Sequence, residues 1–160
     1  MTDPRFQYER VNVIKIIVEN PEGKVLLIQE PETNEWMPLH WGLPGGKPLV
    51  KESLYGAFKR KMKEELGQNI EPPGIFRIEE LLIEEKTVLM FHVVTKVGEI
   101  SLSGESKSYK WVDANELEKM DVTEFTEYFN KKLLLREFFY QKTVLISRPL
   151  LRSICERGYL

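Results

Sequence analysis

Residues 44–67 read PGGKPLVKESLYGAFKRKMKEELG, and this stretch decides the fold. A helix turns about 100° per residue, so Leu54, Phe58, Met62 and Leu66 form one apolar stripe. Lys61, Glu64 and Glu65 fall beside or within the edge of that stripe, where a wholly solvated charged face would not place them. Negative charge next to an apolar surface is costly unless a cation compensates it, which points to a metal ion, a lysine or both. Two adjacent carboxylates suit a hard cation such as magnesium, which takes oxygen ligands from a few carboxylates, waters and phosphates. The glycine pair Gly45-Gly46 reads as a tight turn whose backbone can approach phosphate oxygens without interference from a Cβ.

Outward from this stretch, Val11 to Val18 and Lys24 to Gln29 are apolar, β-branched runs around the turn cluster 19–23 and read as a hairpin. The loop 30–39 is broken by Pro31, Thr33, Asn34 and Pro38, and Trp41 to Gly46 reads as a short strand entering the turn. The helix is expected to start near Lys51. Ile75 to Ile83 and Thr87 to Val94 form a second strand pair around residues 84–86, and Ser108 to Val112 a last strand. Asp113 caps a short helix through Met120. From Val122 to about Gln141, helical spacing of Phe125, Phe129, Leu133, Leu134 and Phe138 predicts one long amphipathic helix. Strands interleaved with helices imply an α/β class.

Composition bounds the function. A chain of 160 residues, 42% of them apolar, suits one domain spanning 1–160, with 122–160 as a C-terminal helical segment. A net charge of −2 supplies no basic field, so no nucleic-acid polymer is expected as partner, while free nucleotides need only a local patch. The single Cys155 and an N-terminus without an apolar run suggest a reduced, cytoplasmic setting, and no run is long enough to cross a membrane. Residues 142–160, interrupted by Pro149, could close the core or pack on a second subunit in a homodimer.

The spacing Gly46-x5-Glu52-x7-Arg60-Lys61-Met62-Lys63-Glu64-Glu65-Leu66-Gly67 resembles the box of the Nudix (MutT-like) hydrolases, G-x5-E-x7-R-E-U-x-E-E-x-G-U with U apolar. The likeness is strongest from about Val11 to Leu117. It implies an α/β/α sandwich with a mixed sheet and metal-dependent hydrolysis of a diphosphate linkage in a nucleoside diphosphate derivative, with Mg2+ or Mn2+ as cofactor. By the same resemblance, Gly46 offers its carbonyl to the metal, Glu64 and Glu65 ligate it, Arg60 orients the carboxylates and Glu52 links helix to loop. Gln68 departs from an apolar position, and Lys61 stands where the family has a glutamate that binds metal or activates water.

That lysine leaves two readings open: its ammonium partly replaces a cation and captures phosphate, or it neutralises two acids of a decayed site. The second leads to a catalytically silent nucleotide-binding sensor or interaction module, or to a scaffold without ligand. If hydrolysis survives, Glu105 is the first choice for a further metal ligand or general base, ahead of Glu79, Glu80, Glu84 and Glu85. Gly45, Gly46, Lys47 and Lys61 are expected to bind substrate phosphates. Trp36, His40, Trp41 and Tyr109 are candidates to stack on a nucleobase, with Trp41 and Trp111 preferred as core and His40 and His92 as structural residues.

Overall fold

A computed structural model describes residues 9–35, 37–70, 74–83, 85–98, 108–125 and 131–147. Trp36, Glu84, Glu105, Phe129 and the segment 148–160 lie outside the described residues. The chain runs β1 (Glu9–Glu19), β2 (Val25–Gln29), β3 (Trp41–Gly42), β4 (Gly45–Gly46), α1 (Leu54–Leu66), β5 (Gly74–Ile83), β6 (Lys86–Lys96), β7 (Tyr109–Val112), α2 (Ala114–Lys119) and α3 (Lys131–Ser147). The sheet follows the order β3-β2-β1-β6-β5, with β4 added to β1 and β7 to β2.

The sheet is mixed because β1 and β6 run parallel, paired from Glu9–Lys86 to Glu19–Lys96. β1 is rich in Val and Ile and β6 in Val, as expected of strands covered on both faces. Successive side chains of β1 go to opposite faces. Ile14, Ile16 and Val18 pack with Ala57, Phe58, Met62 and Leu66 of α1. Ile17 joins the second core with Leu117 of α2 and Leu134, Leu135 and Phe138 of α3. The result is the expected three-layer α/β/α sandwich. Phe58 is fully buried, and its truncation to Ala costs about 3 to 5 kcal/mol.

Three local readings change. The helix starts at Leu54, not Lys51: Lys51 has φ 63°, and Ser53 caps the helix by accepting the Gly56 N–H at 2.9 Å. Gly45-Gly46 is not a free turn but a strand segment paired with Lys15 and Ile14 of β1. Gly45 has φ 145°, and a Cβ there would lie 2.1 Å from the Ile14 carbonyl oxygen, so the glycine is required by the close approach of two backbones. The long helix expected from Val122 is interrupted as well. Asp121 and Glu124 form a reciprocal capping box around a single 3-10 turn, after which Phe125 is extended and bridges to Trp41. Among the described residues, α helix follows from Lys131 to Ser147. By contrast α2 follows its sequence signal, Asp113 and Glu116 capping each other as N-cap and N3.

Candidate active site on the box helix

The loop from Lys47 to Ser53 is tied to the middle of α1 by one arginine. Arg60 donates from Nε to Glu52 Oε2 at 2.9 Å and from Nη2 to Glu52 Oε1 at 2.9 Å. The two parallel bonds match the planar guanidinium fork to the carboxylate. The same Nη2 reaches the Lys47 carbonyl at 3.2 Å, and Nη1 reaches Glu64 Oε2 at 3.3 Å. Glu52 also accepts the Leu49 N–H at 3.0 Å, closing the turn that holds Lys51 at positive φ. The Arg60 bonds, with the Leu49 N–H next, pull the Glu52 carboxyl from its ordinary 4.5 down to about 2. The Glu52 partnership also raises the Arg60 pKa.

One residue further along, Lys61 lies 3.6 Å from Glu64 Oε2 and 3.8 Å from Glu65 Oε1. Its stem passes over Gly46, where an added Cβ would meet Lys61 Cε at 2.9 Å and Nζ at 3.5 Å. Gly46, Lys61, Glu64 and Glu65 therefore share one small volume between β4 and α1. The Glu64 carboxylate is half exposed, whereas Lys61 and Glu65 are mostly covered. The Glu65 Oε2 atom is itself buried.

The structure thus brings together Gly46, Glu52, Arg60, Lys61, Glu64 and Glu65. Lys47 joins them through its backbone carbonyl, which accepts from Arg60. Gly45 serves the β1–β4 contact. Its expected role in admitting a phosphate loses the turn geometry on which it rested. Glu105 lies outside the described residues. Glu79 pairs with Arg77, which also meets Glu137 of α3, so it belongs to the opposite layer. The turn formed by Leu49 and Glu52 went unnoticed in the sequence, although an acid three residues after Leu49 and before the Ser53 cap was its available signal.

His92 and Trp41 lie where packing was expected of them. His92 is fully buried, and His40 Nδ1 lies 2.7 Å from the Pro38 carbonyl. Trp41 packs on the α2–α3 core, with the Lys110 ammonium 4.2 Å from its ring centroid, and Tyr109 is half exposed. An open cleft of about 600 Å³, lined in part by Arg10, Asn12, Lys47, Leu49 and Glu52, adjoins the loop side of the cluster.

A hard divalent cation can be tested against these donors. Glu64 and Glu65 are of the right chemistry, and magnesium commonly uses one or two carboxylates with phosphate oxygens completing the set. Among the described residues no group of three acid, His or Cys side chains is placed to hold a metal ion. The point shared by the two carboxylates already accepts positive charge, since the Lys61 ammonium is there. The chemistry of the two donors suits a cation, and the Lys61 ammonium lies within ion-pair distance of both.

Residues 9–133 match the NUDIX domain model, a span that includes the whole of this cluster. The chain belongs to the Nudix family. Among solved structures it is similar to a MutT protein from Methanosarcina mazei Go1, at 25% identity and TM-score 0.68 over 86% of this chain and 98% of that one. It also resembles a C. elegans Ap4A hydrolase, at 24% identity and TM-score 0.59 over 86% and 99% of the two chains. The E. coli ORF135 protein is similar at 22% identity and TM-score 0.60, covering 72% of this chain and 83% of that one. No curated protein sequence matches the chain. Among the described residues, no helix of this Nudix chain is long and apolar enough to cross a membrane.

Proposed function

We propose that this protein hydrolyses the diphosphate linkage of a small nucleotide derivative, a nucleoside diphosphate compound, with Mg2+ or Mn2+. The observation that carries this reading is the acid pair Glu64–Glu65 beside Gly46, braced by Arg60. Family membership supports it, and so does the nucleotide named in the Ap4A hydrolase neighbour. Glu64 and Glu65 would hold the cation, with the Gly46 carbonyl as a further ligand and Glu105 as another if it does not serve as the base. When bound, the cation polarises phosphate oxygens and lowers the pKa of water.

The chain's own residues do the rest. Arg60 positions Glu64 while locking loop to helix, so the acid pair keeps a fixed placement relative to β4. Lys61 and Lys47 supply positive charge to the diphosphate, and Glu105 is the proposed base for the attacking water. One P–O bond forms to the water oxygen as the bridging P–O bond breaks, giving two phosphate products.

A second reading follows from Lys61: a Nudix-fold nucleotide sensor that binds without cleaving. A panel of nucleoside triphosphates, dinucleotide polyphosphates and sugar nucleotides, assayed for phosphorus-containing products with Mg2+ or Mn2+, separates the two. Hydrolysis by the natural chain, lost in Glu65→Gln, establishes the enzyme. Ligand-induced stabilisation without turnover establishes the sensor, since selective binding to the folded state raises its stability. Turnover undiminished in Glu65→Gln would remove the acid pair from the mechanism.

A further inference from the structure

Arg60 and Lys61 are neighbouring cations on one helix, yet among the described residues Arg60 makes close hydrogen bonds and Lys61 makes longer ion pairs. The Lys61 ammonium stands 3.6 and 3.8 Å from Glu64 and Glu65, inside ion-pair range but beyond the 2.7–3.2 Å of a good N–H···O bond. An ammonium is a compact point charge on a flexible four-carbon stem, so pairing of this kind exchanges readily. Its stem has a defined channel, because Gly46 presents no side chain where Lys61 Cε passes. Magnesium needs oxygens at about 2.0–2.1 Å in near-octahedral geometry, and a dication cannot share that small volume with an ammonium. A diphosphate offers several anionic oxygens to which the same ammonium can turn.

We propose that Lys61 makes divalent-cation binding conditional on the diphosphate. In the free protein the ammonium holds the charge position between Glu64 and Glu65. The diphosphate draws Lys61 onto its own oxygens, and the cation enters with it. This rests on the reading of the cluster as a diphosphate site. Linkage makes the effect reciprocal: the factor by which a diphosphate tightens cation binding equals the factor by which the cation tightens diphosphate binding. Removing the ammonium should shrink that factor by letting the cation bind alone.

The test is Mn2+ binding, followed by water-proton relaxation, to the natural chain and to Lys61→Met, each alone and with methylene diphosphonate, which is not hydrolysed. Lys61→Gln, run in parallel, keeps a polar side chain in case the methionine disturbs packing, and thermal unfolding verifies that each variant folds. The expected result is that Mn2+ alone binds the variants about tenfold or more tighter than the natural chain, in line with the effect of groups adjoining a metal site. The diphosphonate should then raise Mn2+ affinity far more in the natural chain. Equal Mn2+ affinity of natural chain and variants without diphosphonate overturns the role of Lys61 and leaves the hydrolysis reading standing. Failure of the diphosphonate to bind any of the chains, with or without Mn2+, overturns this inference together with the reading beneath it.

Discussion

Two cation–carboxylate clusters sit side by side on α1, and they are built differently. The Arg60–Glu52 clamp has two 2.9 Å bonds from one planar fork, with both side chains mostly covered. The Lys61–Glu64–Glu65 cluster has longer contacts from a single ammonium, and Glu64 is half exposed. The first fixes backbone to backbone, since Arg60 also holds the Lys47 carbonyl and Glu52 the Leu49 N–H. The second joins side chains of one helix, and the Lys61 stem lies over Gly46 of the sheet. The contrast separates a part that must not move from a part that can exchange partners.

The comparison can be broken most severely at the platform both clusters share. Gly45→Ala sets a Cβ against the Ile14 carbonyl and should cost about 3 kcal/mol, measured by denaturant unfolding. A loss below about 0.5 kcal/mol would show that β4 can leave β1 without consequence. Next in size, Arg60→Lys keeps the charge but not the fork. Turnover of whichever substrate the panel identifies should fall about tenfold or more, with the fold retained by circular dichroism. Full activity would make the clamp dispensable.

Glu52→Gln sharpens the comparison through pH. The folded-state carboxyl titrates at about 2 against an ordinary 4.5, so its stabilisation is fully present above pH 4.5 and is lost as pH falls toward 2. Thermal unfolding across that window should show a shallower loss of stability in Glu52→Gln than in the natural chain, and parallel curves would refute the clamp's contribution. The smallest effect is expected for Lys47→Ala. Arg60 binds the Lys47 carbonyl, which the substitution keeps, so stability should change by less than about 0.5 kcal/mol.

Much of this was legible from residues alone. The apolar runs marked the strands, the stripe through Phe58, Met62 and Leu66 marked the buried face of α1, and Asp113 marked a helix start. The parallel pairing of β1 with β6 was not legible, because register between distant strands depends on long-range contacts that leave no local pattern. Gly45-Gly46 was read as a turn since glycine signals conformational freedom without saying whether a turn or a close backbone neighbour requires it. The helix expected from Val122 failed for a different reason. Apolar spacing continued through Phe125 while Asp121 and Glu124 closed a separate short turn, a capping signal that outweighed periodicity. In the site, spacing brought Arg60, Glu52, Glu64 and Glu65 together correctly, but distances of 2.9 against 3.6 Å are not written in spacing.

The central strand pairing also governs the order in which the molecule can come into being. β1 begins at Glu9 and its parallel neighbour at Lys86, so the middle of the sheet closes a long loop that contains α1 and both charged clusters. Such distant contacts repay their loop-closure entropy late and slow the search for the native state. During synthesis the helix can coil as soon as it emerges. Its apolar stripe rests on Ile14, Ile16 and Val18 of β1 and Leu26 of β2, which precede it in the chain, and Val93 of β6 completes that layer. The layer beneath the candidate site is therefore complete only once β6 has been made.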